Sequence, residues 1–338
     1  MELHLHEYEL PLKHPFKISR GTVTVQQSLI VELRQDGLSG YGEAVSSTYY
    51  NSPIDTMRKH LEGIEPLLAG ETFRDTNSFW NLCAERLAKA PFVLSALDCA
   101  AHDLWGQLED SPVHRLWGLD PDDSVASSFT IGIAEVDEMV AKLAEMPGWP
   151  VYKIKLGTRR DIEIIRALRG QTDAVFRIDA NCGWTPDEAA ALTAEMAQLG
   201  VEFIEQPLDP TEQKAQESLF HKSALPIIAD ENCVGEADVS QCADRFHGIN
   251  IKLCKCGGLT PARRMITTAR DHGLKVMVGC MAESSVGISA AAQLAPLLDY
   301  ADLDGAVLLA KDAADGVQLR QGQLTFPNAP GLGIRSLK

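Results

Sequence analysis

The sequence predicts an α/β protein, a (β/α)8 barrel of the TIM type in modified form, preceded by a smaller α+β domain. Three observations predict it. Eight short apolar runs recur at nearly constant spacing through the last two-thirds of the chain, and helical stretches separate them. The first third has another order, strands first and helices after.

In that first third, residues 2–9 (ELHLHEYE) alternate apolar and polar, as a half-buried strand does. SLIVELRQ (28–35) and YGEAV (41–45) follow as strands joined by the turn signal Asp36-Gly37. Helices are expected at 53–69, 73–89 and 92–109. In the third, Leu94, Leu97, Ala101, Leu104, Trp105 and Leu108 share one stripe, and Ala96 and Ala100 beside it are small enough for close approach to a neighbour. This first domain spans 1–122 and ends in the polar turn Asp120-Pro121-Asp122-Asp123. The barrel strands then read 128–133, 152–157, 176–181, 203–208, 227–232, 249–254, 275–280 and 300–305. From Ser128 to Tyr300 is 172 residues over seven intervals, about 25 per unit, the length that a strand, a turn, a helix and a return require. Thr185-Pro186-Asp187-Glu188 has the N-cap, the proline and the N3 carboxylate of a helix start, and Thr260-Pro261 repeats the first two. Eight such units favour a closed parallel barrel over an open doubly wound sheet. The barrel takes 123–315, and the tail 316–338, with strand and turn character, is expected to return to the first domain.

Composition narrows the function. The chain has 338 residues, 45% hydrophobic and 23% charged, and a net charge of −16 from 31 basic and 47 acidic residues. So acidic a surface repels phosphate backbones and anionic lipid, which excludes nucleic-acid and membrane-surface roles. No basic segment leads into an apolar core at the N-terminus and no 18 apolar residues run together, so neither a signal peptide nor a membrane span is expected. Eight cysteines without a CxxC pair suit reduced thiols. A cytoplasmic enzyme is the expected class.

Barrel strands are buried on both faces, so charge within them needs a reason. Six of the eight runs carry charged groups beyond their first residue, mostly near the C-terminal ends where barrel active sites lie. Asp179, Glu205 and Asp230 are separated by 26 and 25 residues, one unit each, and so end three consecutive strands at similar height. Three carboxylates without a cation would repel and force proton uptake. An all-oxygen set suits a hard divalent ion, Mg²⁺ before Zn²⁺, with Asn181 and Glu231 beside the ligands. Lys153 and Lys155 point to one face of the second strand, and a neighbouring ammonium would lower a lysine pKa towards that of a general base. Lys252, four strands away, faces them across the barrel. Two opposed bases support removal of a proton from one face of a carbon and return to the other. Asp302 and Asp304 alternate on the last strand and make an anionic pocket suited to an ammonium group.

Together, Lys153-Ile154-Lys155, Ile178-Asp179-Ala180-Asn181, Ile204-Glu205-Gln206-Pro207, Ala229-Asp230-Glu231, Asn250-Ile251-Lys252 followed by Gly257-Gly258, and Gly279-Cys280-Met281 resemble the enolase superfamily, specifically its muconate-lactonizing-enzyme subgroup. The resemblance covers nearly the whole chain, the first domain being similar to that superfamily's capping domain. It implies one Mg²⁺ per subunit, with Mn²⁺ as a substitute, at Asp179, Glu205 and Asp230, binding a substrate carboxylate and stabilising the enediolate left when the α-proton departs. It makes Lys155 and Lys252 the bases and leaves Lys153 to tune and position.

Asp302-Leu303-Asp304 resembles the Asp-x-Asp of dipeptide epimerases, where it holds the α-ammonium. The implied activity is Mg²⁺-dependent inversion of the α-carbon of the C-terminal residue of a dipeptide, L-Ala-D/L-Glu or an apolar pair. Substrate contacts are expected from Arg20, Val23, Tyr50, Thr130, Cys280, Met281 and Glu283. Glutamate-selective members resemble this chain around Ser19-Arg20-Gly21 but carry a further basic residue where Val23 stands. Tyr50 would line an apolar or aromatic pocket, and Glu283 would meet a cation. Muconate-type cycloisomerases and o-succinylbenzoate synthase share the metal and the lysines but lack the aspartate pair. N-acylamino acid racemases act on substrates without an ammonium for it to hold, and a catalytically silent ligand-binding barrel has no need of the bases. A homo-oligomer is expected by analogy alone.

Overall fold

A computed structural model describes residues 1–338. The first domain opens with an antiparallel sheet of β1 (Glu2–Ile18), β2 (Gly21–Gln35) and β3 (Leu38–Val45) in the order β1-β2-β3. β1 is twice the length its alternation predicts. Past Pro11 the register shifts, and Phe16, Lys17 and Ile18 pair with Val23, Thr22 and Gly21 beyond the reach of β3. The two strands therefore run on as a two-stranded arm whose tip is the Ser19-Arg20 turn. No Gly-Asn or Asp-Gly signal marks that turn, and two prolines break the alternation before it, so the pattern hides it.

Three helices cover the sheet: α1 (Ile54–Ala69), α2 (Thr76–Leu87) and α3 (Pro91–Leu108). Ala96 and Ala100 meet the glycines of β3. A Cβ on Gly40 would lie 2.2 Å from Ala100 O, and one on Gly42 2.0 Å from Ala96 O, so only glycine admits α3 this close. Leu29, Val31, Leu33, Leu61, Leu97 and Leu104 close this domain's core.

After the short α4 (Val113–Leu116), strands and helices alternate: β4 (Phe129–Ile131), α5 (Val136–Glu145), β5 (Val151–Lys155), α6 (Asp161–Arg169), β6 (Val175–Asp179), α7 (Pro186–Gln198), β7 (Val201–Glu205), α8 (Gln213–Lys222), β8 (Ile227–Ala229), α9 (Glu236–Cys242), β9 (Gly248–Ile251), α10 (Leu253–Cys256), α11 (Leu259–Asp271), β10 (Lys275–Gly279), α12 (Ser285–Ala292) and β11 (Tyr300–Asp302). The eight strands pair in parallel in chain order, and a bridge between Ser127 and Ala301 closes the ring. A 3-10 turn at Gly305–Leu308, not an eighth helix, follows β11. Thr185 and Glu188 form the expected capping box. Thr260 is not an N-cap: α11 starts at Leu259, and Thr260 N donates to Asp98 Oδ2 of α3 at 2.8 Å, so the first domain caps this helix.

The tail does two things. The hairpin of β13 (Gln318–Arg320) and β14 (Gln323–Thr325), which follows the short β12 (Ala314–Asp315), brings Gly322 O to Ser127 N at the start of the barrel. Leu332 N donates to Asp103 Oδ1 of α3 at 2.7 Å, returning the chain to the first domain. Inside the ring, Arg177 and Phe203 point the same way as Asp179 and Glu205 two residues on. The Arg177 guanidinium lies 5.4 Å from the Phe203 ring and 4.8 Å from that of Tyr300, which floors the barrel below the acidic groups.

Candidate active site

A cleft of about 710 Å³ lies between the C-terminal ends of the barrel strands and the arm and loops of the first domain. Lys155, Lys252, Asp230, Asn181, Asp302, Asp304, Thr130, Cys280 and Met281 line it from the barrel, and Arg20, Val23 and Tyr50 from the first domain. Asp179 and Glu205 end β6 and β7, and Asp230 follows β8. One carboxylate oxygen from each lies within 4.8 Å of the others, and all three side chains are buried.

Four lysines surround these carboxylates. Lys155 Nζ donates to Asp179 Oδ2 at 2.6 Å, and Lys252 Nζ, from the other side of the barrel, to Asp230 Oδ2 at 2.8 Å. Lys153, 1% exposed, lies beneath the cleft and links three acids: its Nζ is 3.1 Å from Asp179, 2.7 Å from Glu205 and 2.8 Å from Asp302. Lys255 completes the set from below, donating to Asp230 Oδ1 at 2.5 Å and to the carbonyls of Asp230 and Cys233. Asn250 donates to Glu205 Oε1 at 2.8 Å, and Gln206 Oε1 accepts from Asp230 N at 2.9 Å.

The protonation pattern follows from this wiring. Burial works against charge on Asp179 and Asp230, but the adjacent lysines outweigh it and hold both below the usual carboxylate range. Burial and the Asp179 charge push Glu205 up to about 7. Proton uptake expected for three bare carboxylates is thus confined to one. The expected lowering of lysine pKa does not hold for Lys153: burial lowers it, yet the carboxylates around it raise it overall, as they do for Lys252. The sequence argument weighed one ammonium against another and left out the acids.

The donor set fits a hard cation. It is all oxygen, Asn181 Oδ1 and Asn250 Oδ1 are buried acceptors without a hydrogen bond, and Glu205 Oε2 has the Lys153 ammonium alone for a partner. At the other end of the cleft, Asp302 Oδ1 accepts from Ser128 Oγ at 2.7 Å, and Asp304 Oδ2 from Thr130 N at 2.6 Å. Burial and the charge of Asp302 push Asp304 up to about 7.

One expected residue stands elsewhere. Glu283 does not line the cleft. Its Oε1 accepts from Met281 N, and its Oε2 is where a Cβ on Gly287 would fall, beside Glu43 of β3, whose charge together with burial raises Glu283 to about 8. Glu231 lies beside Asp230, close enough for the Asp230 and Asp179 charges to act on it, and is paired with Arg20 of the arm at 2.6 Å. Sequence reasoning passed over Lys255 and Asn250. The signal for Lys255 was a charge inside Leu-Cys-Lys-Cys-Gly-Gly, where a solvated loop and a buried anchor read alike.

Comparison with known proteins agrees with this geometry. Residues 1–118 match the N-terminal domain of the mandelate racemase / muconate lactonizing enzyme family, and residues 135–336 the enolase C-terminal domain-like family. An L-Ala-D/L-amino acid epimerase from a Maribacter species is 50% identical over 335 residues, 99% of each chain. Among solved structures, the substrate-liganded L-Ala-D/L-Glu epimerase from Bacillus subtilis superposes with a TM-score of 0.95 at 27% identity, covering 100% of this chain and 99% of that one. A dipeptide epimerase from Enterococcus faecalis, complexed with Mg and L-Leu-L-Tyr, gives 0.94 at 31% identity and 99% coverage of both.

Proposed function

The chain belongs to the mandelate racemase / muconate lactonizing enzyme family, and on that footing we propose that it is an isomerase that inverts the α-carbon of the C-terminal residue of a dipeptide by two-base proton transfer. The observation that carries the proposal is the placement of Lys155 and Lys252 on opposite sides of one cleft, each against a different member of the acidic triad. A Mg²⁺ held by Asp179, Glu205 and Asp230, with Mn²⁺ as a substitute, supplies the positive charge that binds a carboxylate and steadies the negative charge formed beside it. Lys155 takes or returns the α-proton on one face and Lys252 on the other, and Lys153 holds the acids of the two ends in register. Asp302 and Asp304 take the α-ammonium of the N-terminal residue, which separates this reading from cycloisomerases and N-acylamino acid racemases.

Side-chain preference follows from the arm. Val23 stands in the cleft wall, and Ile18, Val25, Tyr50 and Met281 extend the apolar surface. Arg20 is paired with Glu231. A neutral or apolar side chain on the inverted residue therefore fits better than a glutamate. We place the enzyme in the cytoplasm, in keeping with eight free cysteines. Residues 1–122 serve as capping domain, 123–315 as barrel and 316–338 as the tail that joins them. The test is α-proton exchange in D₂O with Mg²⁺ on pooled L-Ala-L-Xaa dipeptides, read by mass. Uptake is expected in apolar members first. Uptake in N-acylamino acids and in no dipeptide would contradict the proposal.

A further inference from the structure

An ion pair ties the tip of the arm to the loops that follow two of the three acidic residues. Arg20 Nη1 is 2.6 Å from Glu231 Oε1, and the same nitrogen donates to Asn181 O at 3.2 Å. Ser19 Oγ donates to that carbonyl as well, at 3.0 Å, and the Arg20 guanidinium lies 4.2 Å from the Tyr49 ring centroid. Asn181 follows Asp179 by two residues, and Glu231 is next to Asp230.

The barrel is shaped to receive the turn. Asn181 and Cys182 hold φ of 44° and 61°, left-handed backbone that is uncommon outside glycine and needs support from its surroundings. The barrel gives part of it, through Asn181 N on Asp179 Oδ1 and Cys182 N on Gln206 O, and the arm gives the rest, Ser19 and Arg20 gripping the carbonyl of Asn181. Beneath Ser19 the floor is glycine: a Cβ on Gly157 would come within 3.2 Å of Ser19 Cβ, and one on Gly183 within 2.8 Å of Gly157 Cα. Glu231 supplies the other half of the argument. Its side chain is fully buried, Oε2 has no partner, and Arg20 is the cation paired with Oε1. A carboxylate so placed is costly without a partner charge.

We propose that Arg20 is a positioning residue, not a substrate ligand: its pair with Glu231 and its grip on Asn181 make closure of the arm and the shape of the loops after Asp179 and Asp230 a single event. The arm docks well only on formed loops, and the loops keep their strained backbone only under the docked arm. The activity arm of the test rests on the epimerase reading, whereas the other two arms do not.

The test uses the full chain carrying Arg20→Met, Arg20→Lys, Glu231→Gln and the double change Arg20→Met/Glu231→Gln. Hydrogen exchange without metal or substrate should quicken in residues 16–26 and, in the same variants, in 180–184, while α11 stays protected and shows the fold intact. Mn²⁺ affinity, read by electron paramagnetic resonance, should weaken by about 10- to 100-fold in either single variant, with the double variant no weaker than Arg20→Met. The value of kcat/KM should fall by one factor for apolar and acidic dipeptides alike, and Arg20→Lys should recover part of it. Unchanged exchange at 180–184 in Arg20→Met and Glu231→Gln would overturn the proposal. So would a loss confined to L-Ala-L-Glu, the mark of a substrate ligand. If the native protein turns over no dipeptide, the functional reading fails, and exchange and Mn²⁺ affinity still decide this one.

Discussion

Two acidic groups share the barrel mouth and are neutralised in different ways. Asp179, Glu205 and Asp230 face the ammonium groups of Lys153, Lys155, Lys252 and Lys255. Asp302 and Asp304 face mainly hydroxyl and amide donors from Ser128 and Thr130, and only Asp302 has a lysine. Protonation splits both groups: Asp179, Asp230 and Asp302 are held low by lysines beside them, whereas burial and a neighbouring carboxylate push Glu205 and Asp304 up to about 7. The difference teaches that burial alone does not set the role of an acid. The first group has a lysine against each acid, while the second is one positive charge short, the place that the proposed reading gives to a substrate ammonium.

The largest effect should come from the lysines that line the cleft. Lys155→Met or Lys252→Met should lower epimerisation by about 10²- to 10⁴-fold, read by chiral separation of products. Equal and nearly full activity in both variants would erase the distinction between the two groups. Asp302→Asn with Asp304→Asn should raise KM for free dipeptides by about 10- to 100-fold, as expected for losing a charged hydrogen-bonded partner. N-acylated analogues should change little. Lys255→Met, which removes the anchor below Asp230, should weaken Mg²⁺ binding by about 10- to 100-fold in calorimetry. The smallest effect is in pH. Asp304 is charged above about 7 and neutral below it, so affinity for a free dipeptide should fall about tenfold by pH 6 relative to pH 8. The N-acylated analogue is the reference for that titration.

Most of the barrel was legible because its period is long and its chemistry regular. One unit of about 25 residues, repeated, fixes strand number, and carboxylates one unit apart must share a rim. Ala96 and Ala100 announced a close neighbour, though not that Gly40 and Gly42 would be it. Less legible were contacts between distant segments. The arm's extension to Ile18 carries no turn signal, Asp98 caps α11 from another domain, and Lys255 anchors Asp230 from a segment that reads as a loop. Electrostatics was harder still: the lysine pKa argument needed every charge around Lys153, and periodicity gives only those on its own strand.

The central claim is that two bases act on opposite faces of one carbon. Its most direct test is α-proton exchange in D₂O for an L-Ala-L-Xaa dipeptide and its L-Ala-D-Xaa epimer, each with Lys155→Met and Lys252→Met. The account predicts that each variant exchanges one epimer only, and that the two variants exchange opposite ones. Exchange of the same epimer by both variants, or inversion by either at the native rate, would contradict it.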